Sequence, residues 1–308
     1  MFYQIAFELY IGNGIKSVKD KELIESLQNE LKPYRNKQFS SDANSVHYYN
    51  LPGDHDAIKT IQYLTSKYPK TVSTEVLFIQ PIYTEEEANQ FVAFIPAFYD
   101  NYCIEYDDVD AEYDECDLCG GRIRFRESLL WNEKSFGMKH LIKPEGYIKK
   151  SGNINTVLCI DDDRSVMLVT PPLYQNLIKE GFSKDNFRAA ETKKGLVLAY
   201  ELLPDCVLPC GAVTSDRFIS TIRCKKCGAI YYEDELSFQY KPYYLDANYK
   251  ALLGTITATK DYYDENEGRP FLLVSPALRK AFLKYCPNAK FIPVQLLERQ
   301  SESNNART

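Results

Sequence analysis

Cys116-Asp117-Leu118-Cys119-Gly120 recurs 108 residues later as Cys224-Lys225-Lys226-Cys227-Gly228. The likeness continues downstream: Leu168-Val169-Thr170-Pro171 starts 52 residues after Cys116, and Leu273-Val274-Ser275-Pro276 starts 49 residues after Cys224. The apolar runs at 166–169 (Val-Met-Leu-Val) and 271–274 (Phe-Leu-Leu-Val) read as short strands. Thr170 and Ser275 then stand where a hydroxyl caps the first orphan amides of a helix. Pro171 and Pro276 fall at the first helical position, where a missing N–H costs nothing. Leu173, Leu177 and Ile178 form a helical stripe, matched by Leu278, Phe282 and Leu283. Gly181 and Pro287 stop the two helices, and Phe187 and the run 291–294 (Phe-Ile-Pro-Val) return as apolar segments. Each half is thus a CxxCG turn, a variable stretch, then strand, capped helix and apolar return: a diverged tandem duplication.

A CxxCG turn presents two thiolates on one side of a tight knuckle, with glycine allowing the backbone to turn its N–H groups toward sulfur. Two thiolates cannot close a tetrahedral zinc site, whereas four can. Cys116, Cys119, Cys224 and Cys227 together would close one and clamp the two repeats; with no open position such an ion is structural and adds directly to folding free energy. Cys206 and Cys210 precede Cys224 by a short loop, so Cys206, Cys210, Cys224 and Cys227 form an alternative, local ribbon. Cys103, Cys159 and Cys286 have no partner spacing and read as core residues. The expected cofactor is structural Zn²⁺.

The 308 residues carry 43 acidic and 37 basic side chains, a net charge of −6. That balance lacks the cationic surplus a sequence-independent nucleic-acid binder needs. The start Met1-Phe2-Tyr3-Gln4-Ile5 has neither a basic nor a long apolar segment, and no run of about 18 apolar residues occurs, so neither secretion nor membrane insertion is expected. Nine cysteines in a cytoplasmic setting favour metal ligands over disulfides.

Residues 1–104 read as a small α/β domain. Strands are expected at 2–10, 45–51 and 74–83, and helices at 20–34 (stripe Leu23, Ile24, Leu27, Leu31) and 54–68 (Ile58, Ile61, Leu64). Between 105 and 117, eight of thirteen residues are acidic, so 105–115 is expected to be a linker or an exposed strand joining two domains. The repeat domain then spans 116–298, divided into 116–204 and 205–298, before a disordered tail at 299–308. The fold class expected is α+β.

No nucleophile elbow, P-loop, dinucleotide fingerprint or HExxH occurs, and Asp161-Asp162-Asp163 reads as a solvated turn, so no catalytic residue is expected. Two stretches suit a protein partner. Asp107, Asp108, Asp110 and Glu112 would meet a basic groove. Tyr231, Tyr232, Tyr243 and Tyr244, from a chain with 24 tyrosines, would supply anchor rings.

The two knuckles in this order resemble the double-CxxCG-motif family of bacterial immunity proteins found beside polymorphic toxins. The resemblance is carried by Ala111 to Gly120, the strand and helix at 166–180, Leu203-Pro204-Asp205-Cys206 ahead of Cys224 to Gly228, and the closing strand–helix–Phe unit at 271–291. It implies a non-catalytic cytoplasmic protein that binds and neutralises a cognate toxin, with no toxin-contact residue to carry over. The alternative is a zinc-ribbon nucleic-acid regulator, for which Arg122, Arg124, Arg126, Arg223, Lys225 and Lys226 would be the contacts. Oligomeric state is left open.

Overall fold

A computed structural model describes residues 2–35, 45–97, 103–104, 109–110, 113–118, 122–125, 130–131, 157–160, 163–234, 237–263, 270–287 and 289–297. The fold is mixed α and β, in two compact units: Met1–Glu87 with Glu235–Lys241, and Ala88–Asp234 with Pro242–Thr308.

The first unit runs β1 (Phe2–Ile11), α1 (Val18–Leu31), β2 (Ser45–Pro52), α2 (Ala57–Lys67), β3 (Val72–Ile82) and the short α3 (Glu85–Ala88), which reaches the unit boundary. β1 lies between β2 and β3 and is antiparallel to both. A bulge between Ile5 and Phe7 shifts its register. Ile5, Phe7 and Leu9 bury against Ile24, Leu27 and Leu31 of α1 and Ile58, Ile61 and Leu64 of α2, the stripes read from the sequence. Ser17 Oγ caps α1 by accepting from the Asp20 amide, and Thr84 and Glu87 form a reciprocal capping box at α3. Asp20 is buried, and its carboxylate accepts from Lys67 Nζ through both oxygens (3.0 and 2.9 Å) and from the Tyr68 hydroxyl (2.5 Å), tying α1 to the end of α2. The sequence also assigns residues 237–241 to the second repeat, yet they complete this core. Phe238 is buried with its ring edge-on to Phe7 at 5.4 Å, and Tyr240 lies 6.1 Å from Tyr3.

The second unit opens with β4 (Ala93–Ala97), β5 (Cys103–Ile104), β6 (Val109–Asp110), β7 (Tyr113–Glu115), β8 (Arg122–Phe125), β9 (Leu130–Trp131), β10 (Val157–Ile160) and β11 (Asp163–Val169). It continues with α4 (Pro171–Lys179), β12 (Phe187–Thr192), β13 (Val197–Leu202), β14 (Cys206–Leu208), β15 (Val213–Ser215), β16 (Phe218–Arg223) and β17 (Ile230–Asp234). The last elements are β18 (Tyr243–Asp246), β19 (Ile256–Tyr263), β20 (Pro270–Val274), α5 (Pro276–Tyr285) and β21 (Lys290–Leu297).

Two sheets result. One has the order β6-β9-β12-β13-β11-β10-β5; the other runs β15-β18-β21-β4-β20-β19, with β14 and the β17–β16 hairpin both on β19. β7 and β8 form a separate hairpin. Helix α4 buries Leu173 and Leu177, and α5 buries Leu278 and Phe282. Ser275 Oγ accepts from the Leu278 amide as expected, whereas Thr170 holds the cap position without such a bond. Gly181, at φ +95°, ends α4 by a Schellman turn in which the Phe182 amide donates to the Leu177 carbonyl.

One boundary moves. The first unit ends at Glu87 rather than at 104, because β4 pairs with β20 and β21. Of the two readings of the acidic stretch 105–115, its described residues take the strand: β6 closes one sheet edge and β7 forms the first arm of a hairpin. The tail expected at 299–308 lies outside the described residues.

Candidate metal centre

Cys116 and the second CxxCG sequence each lie at the turn end of a β-hairpin. Cys116 follows β7, and β8 returns after the first knuckle; β16 leads into Cys224, and β17 returns after the second. Pairing of Arg223 with Ile230 closes the second loop. Within it the Cys224 amide donates to the Ala229 carbonyl (2.8 Å), and the Gly228 amide donates back to the Cys224 carbonyl (3.0 Å). Gly228 has φ +75°, a left-handed conformation that explains why glycine follows the second cysteine.

The two tips converge. The sulfurs of Cys116 and Cys224 lie 3.9 Å apart, and those of Cys116, Cys224 and Cys227 all lie within 4.8 Å of one another. Zn–S bonds of about 2.3 Å at tetrahedral angles place sulfurs about 3.8 Å apart. The cluster therefore has the spacing and the soft donor chemistry of a metal site and could hold an ion. Cys116 and Cys224 are buried, while Cys227 is exposed at the rim. Cys119, the fourth expected ligand, lies outside the described residues. Across the same junction Lys226 Nζ pairs with the Asp117 carboxylate, so one of the two lysines inside the second knuckle is turned to an acid of the first.

The local ribbon is not what brings these sulfurs together: Cys206 and Cys210 are not part of the cluster. β14 runs parallel to β19 at the sheet margin, which points the Cys206 thiol at the Leu252 carbonyl (2.5 Å) and sets Cys210 sulfur 4.0 Å from the Lys260 carbonyl. Cys286 is buried, as expected; for Cys103 and Cys159 only the backbone pairing of β5 with β10 is described.

The residues expected to meet a partner fare differently. Asp107, Asp108 and Glu112 lie outside the described residues, and Asp110 is described only as backbone in β6. Tyr232 and Tyr243 are core residues, 5% and 4% exposed. Both pack on Phe218, Tyr232 stacked at 4.2 Å and Tyr243 edge-on at 6.0 Å, so they offer no outward surface. The cause is strand parity: Tyr243 and Leu245 take the inward face of β18, leaving Tyr244 half-buried on the other. Burial, helped by Asp216, pushes the Tyr244 hydroxyl pKa up. Tyr231 is placed in β17 by its pairing with Ile222.

No helix among the described residues is long and apolar enough to cross a membrane. Comparison of the chain with protein-family models, curated proteins and solved structures returned no match.

Proposed function

We propose that this chain is a non-enzymatic binding protein that neutralises a cognate bacterial toxin, its second unit braced by a structural zinc ion on Cys116, Cys119, Cys224 and Cys227. One observation supports the reading above the others: three cysteine sulfurs from two hairpins, 108 residues apart in sequence, lie at metal-ligand spacing. A fourth thiolate from Cys119 would fill the last tetrahedral position, leaving no site for water or substrate. Such an ion shapes a surface and does not perform chemistry there. The double-CxxCG resemblance supplies the toxin, and the net charge of −6, with Lys226 drawn to Asp117, favours a protein partner over nucleic acid.

The test has two parts. Metal analysis of the purified chain is expected to give one zinc per molecule, lost in Cys116→Ser and retained in Cys206→Ser; the opposite pattern overturns the ligand set. Cells producing the product of the adjacent gene are expected to stop growing unless this chain is co-produced, and the two purified proteins to form a complex. Failure of both protection and complex formation overturns the toxin reading.

A further inference from the structure

The seven-stranded sheet of the second unit is matched strand for strand by seven of the nine strands of the other. β6-β9-β12-β13-β11-β10-β5 and β15-β18-β21-β4-β20-β19-β14 show the same succession of parallel and antiparallel neighbours. The alignment equates β5 with β14, β10 with β19, β11 with β20, α4 with α5 and β12 with β21. Equivalent residues Ile104 and Leu208, Cys116 and Cys224, Val169 and Val274, Ala189 and Pro293 are 104, 108, 105 and 104 positions apart.

One correspondence crosses between the sheets. β13 fills the slot between β11 and β12, and β4 fills the same slot between β20 and β21. Their registers agree: Val169 and Ala189 flank Tyr200 as Val274 and Pro293 flank Phe94. Residues 105 apart on the helices cover the inserted strands: the Tyr174 ring stacks on Tyr200 at 3.7 Å, and the Arg279 guanidinium lies 4.8 Å over the Phe94 ring. Yet β13 follows its neighbours in the chain, whereas β4 precedes its own by more than 170 residues.

We infer that the second unit is a pair of repeats, spanning 93–192 and 197–297, locked by reciprocal exchange of their first strands. Each repeat offers a strand-accepting slot, and the occupant it fits is the first strand of its sister: Ala93-Phe94-Ile95-Pro96-Ala97 in one, Val197-Leu198-Ala199-Tyr200-Glu201-Leu202 in the other. This phasing replaces the division at 204 expected from the knuckles. Equivalent residues also meet, as they do along a two-fold axis: Cys116 beside Cys224, and Glu180 accepting from the hydroxyl of its counterpart Tyr285 (2.5 Å) and from Lys284 (2.6 Å). The lobes are therefore held by interleaved strands, and a metal ion would order the knuckles without being what joins the repeats. The inference does not rest on the toxin reading.

The turn between β12 and β13 gives the test. A protease site inserted between Lys194 and Gly195 of the full-length chain yields, on cleavage, fragments that each retain the other's central strand. Native size exclusion with light scattering, in a Phe238→Ala background that removes the second fragment's hold on the first unit, is expected to give one peak at the intact mass, with or without EDTA. Separation on cleavage alone overturns the exchange, and separation only after chelation assigns the cohesion to the ion and overturns it too. In the nicked chain, Phe94→Ala is expected to lower the urea concentration at which the fragments part; indifference to it counts against the inference. Hydrogen exchange in the uncut chain is expected to place β4 and β13 among the slowest segments of the unit, changing less than about twofold on chelation. Fast exchange in either strand overturns it, whatever the metal content.

Discussion

Phe94→Ala probes the exchanged strand at its most buried point. The Phe94 side chain is 0% exposed, with the rings of Phe91 and Phe291 edge-on at 5.9 and 6.5 Å and the Arg279 guanidinium above it at 4.8 Å. Truncating such a phenylalanine costs about 3–5 kcal/mol through lost transfer free energy and the residual cavity. Loss of the cation–ring contact is a separate electrostatic cost of about 0.5–2 kcal/mol. Phe94→Leu restores much of the apolar volume and is expected to recover over half of the loss. The assay is urea unfolding, combined with hydrogen exchange to locate the damage. Although residue 94 precedes the first knuckle, its strand belongs to the sheet whose other strands all come from residues 206–297. Protection is therefore expected to fall most in β20 and β21, and least in β5 and β10. A loss below about 1 kcal/mol, or damage centred on β10–β12, refutes the reasoning.

Acid titration of the first unit should report on Asp20. The Tyr68 hydroxyl, then Lys67 and Ser17, hold its carboxyl at about 2, below the ordinary 3.8. A depressed carboxylate stabilises the fold fully above its unfolded value, and that contribution is lost as pH falls from about 4 toward 2. Asp20→Asn is expected to unfold more easily at neutral pH and to lose this acid-side decline, read by circular dichroism against pH. Gly228→Ala forces a side chain into φ +75°, a cost of about 1–2 kcal/mol; weaker zinc retention against a competing chelator is the expected readout, and unchanged retention would separate the knuckle's shape from its ligands. Ser275→Ala removes the acceptor of the Leu278 amide and is expected to cost about 1 kcal/mol in urea unfolding.

Much of this architecture is visible in local patterns. The stripes at Ile24, Leu27 and Leu31 and at Ile58, Ile61 and Leu64 set the first unit's helices, and the Ser-Pro and Thr-Pro pairs mark where α4 and α5 begin. The meeting of Cys116 with Cys224 is foreshadowed by the duplicated motif, because a pair of thiolates needs a second pair. The rest depends on distant partners. β4 is five residues long and contains a proline, and nothing within it announces neighbours at 270–274 and 290–297. Phe238 and Tyr240 lie in a short irregular stretch with no periodicity to place them, and only their fit beside Phe7 and Tyr3 reveals their place. Tyr243 and Tyr244 look alike in sequence; alternation sends them to opposite faces, but short strands do not declare which face is inward.

Interleaving carries a consequence for biosynthesis. As the polypeptide leaves the ribosome, the segment 93–97 emerges about two hundred residues before Val294, which it flanks in the finished sheet. Until then Phe94 and Ile95 are apolar and without their destined cover, and pairing them means closing one of the longest loops in the molecule. High contact order slows folding and prolongs exposure of sticky intermediates, so maturation of this chain is expected to be post-translational, late and dependent on chaperones.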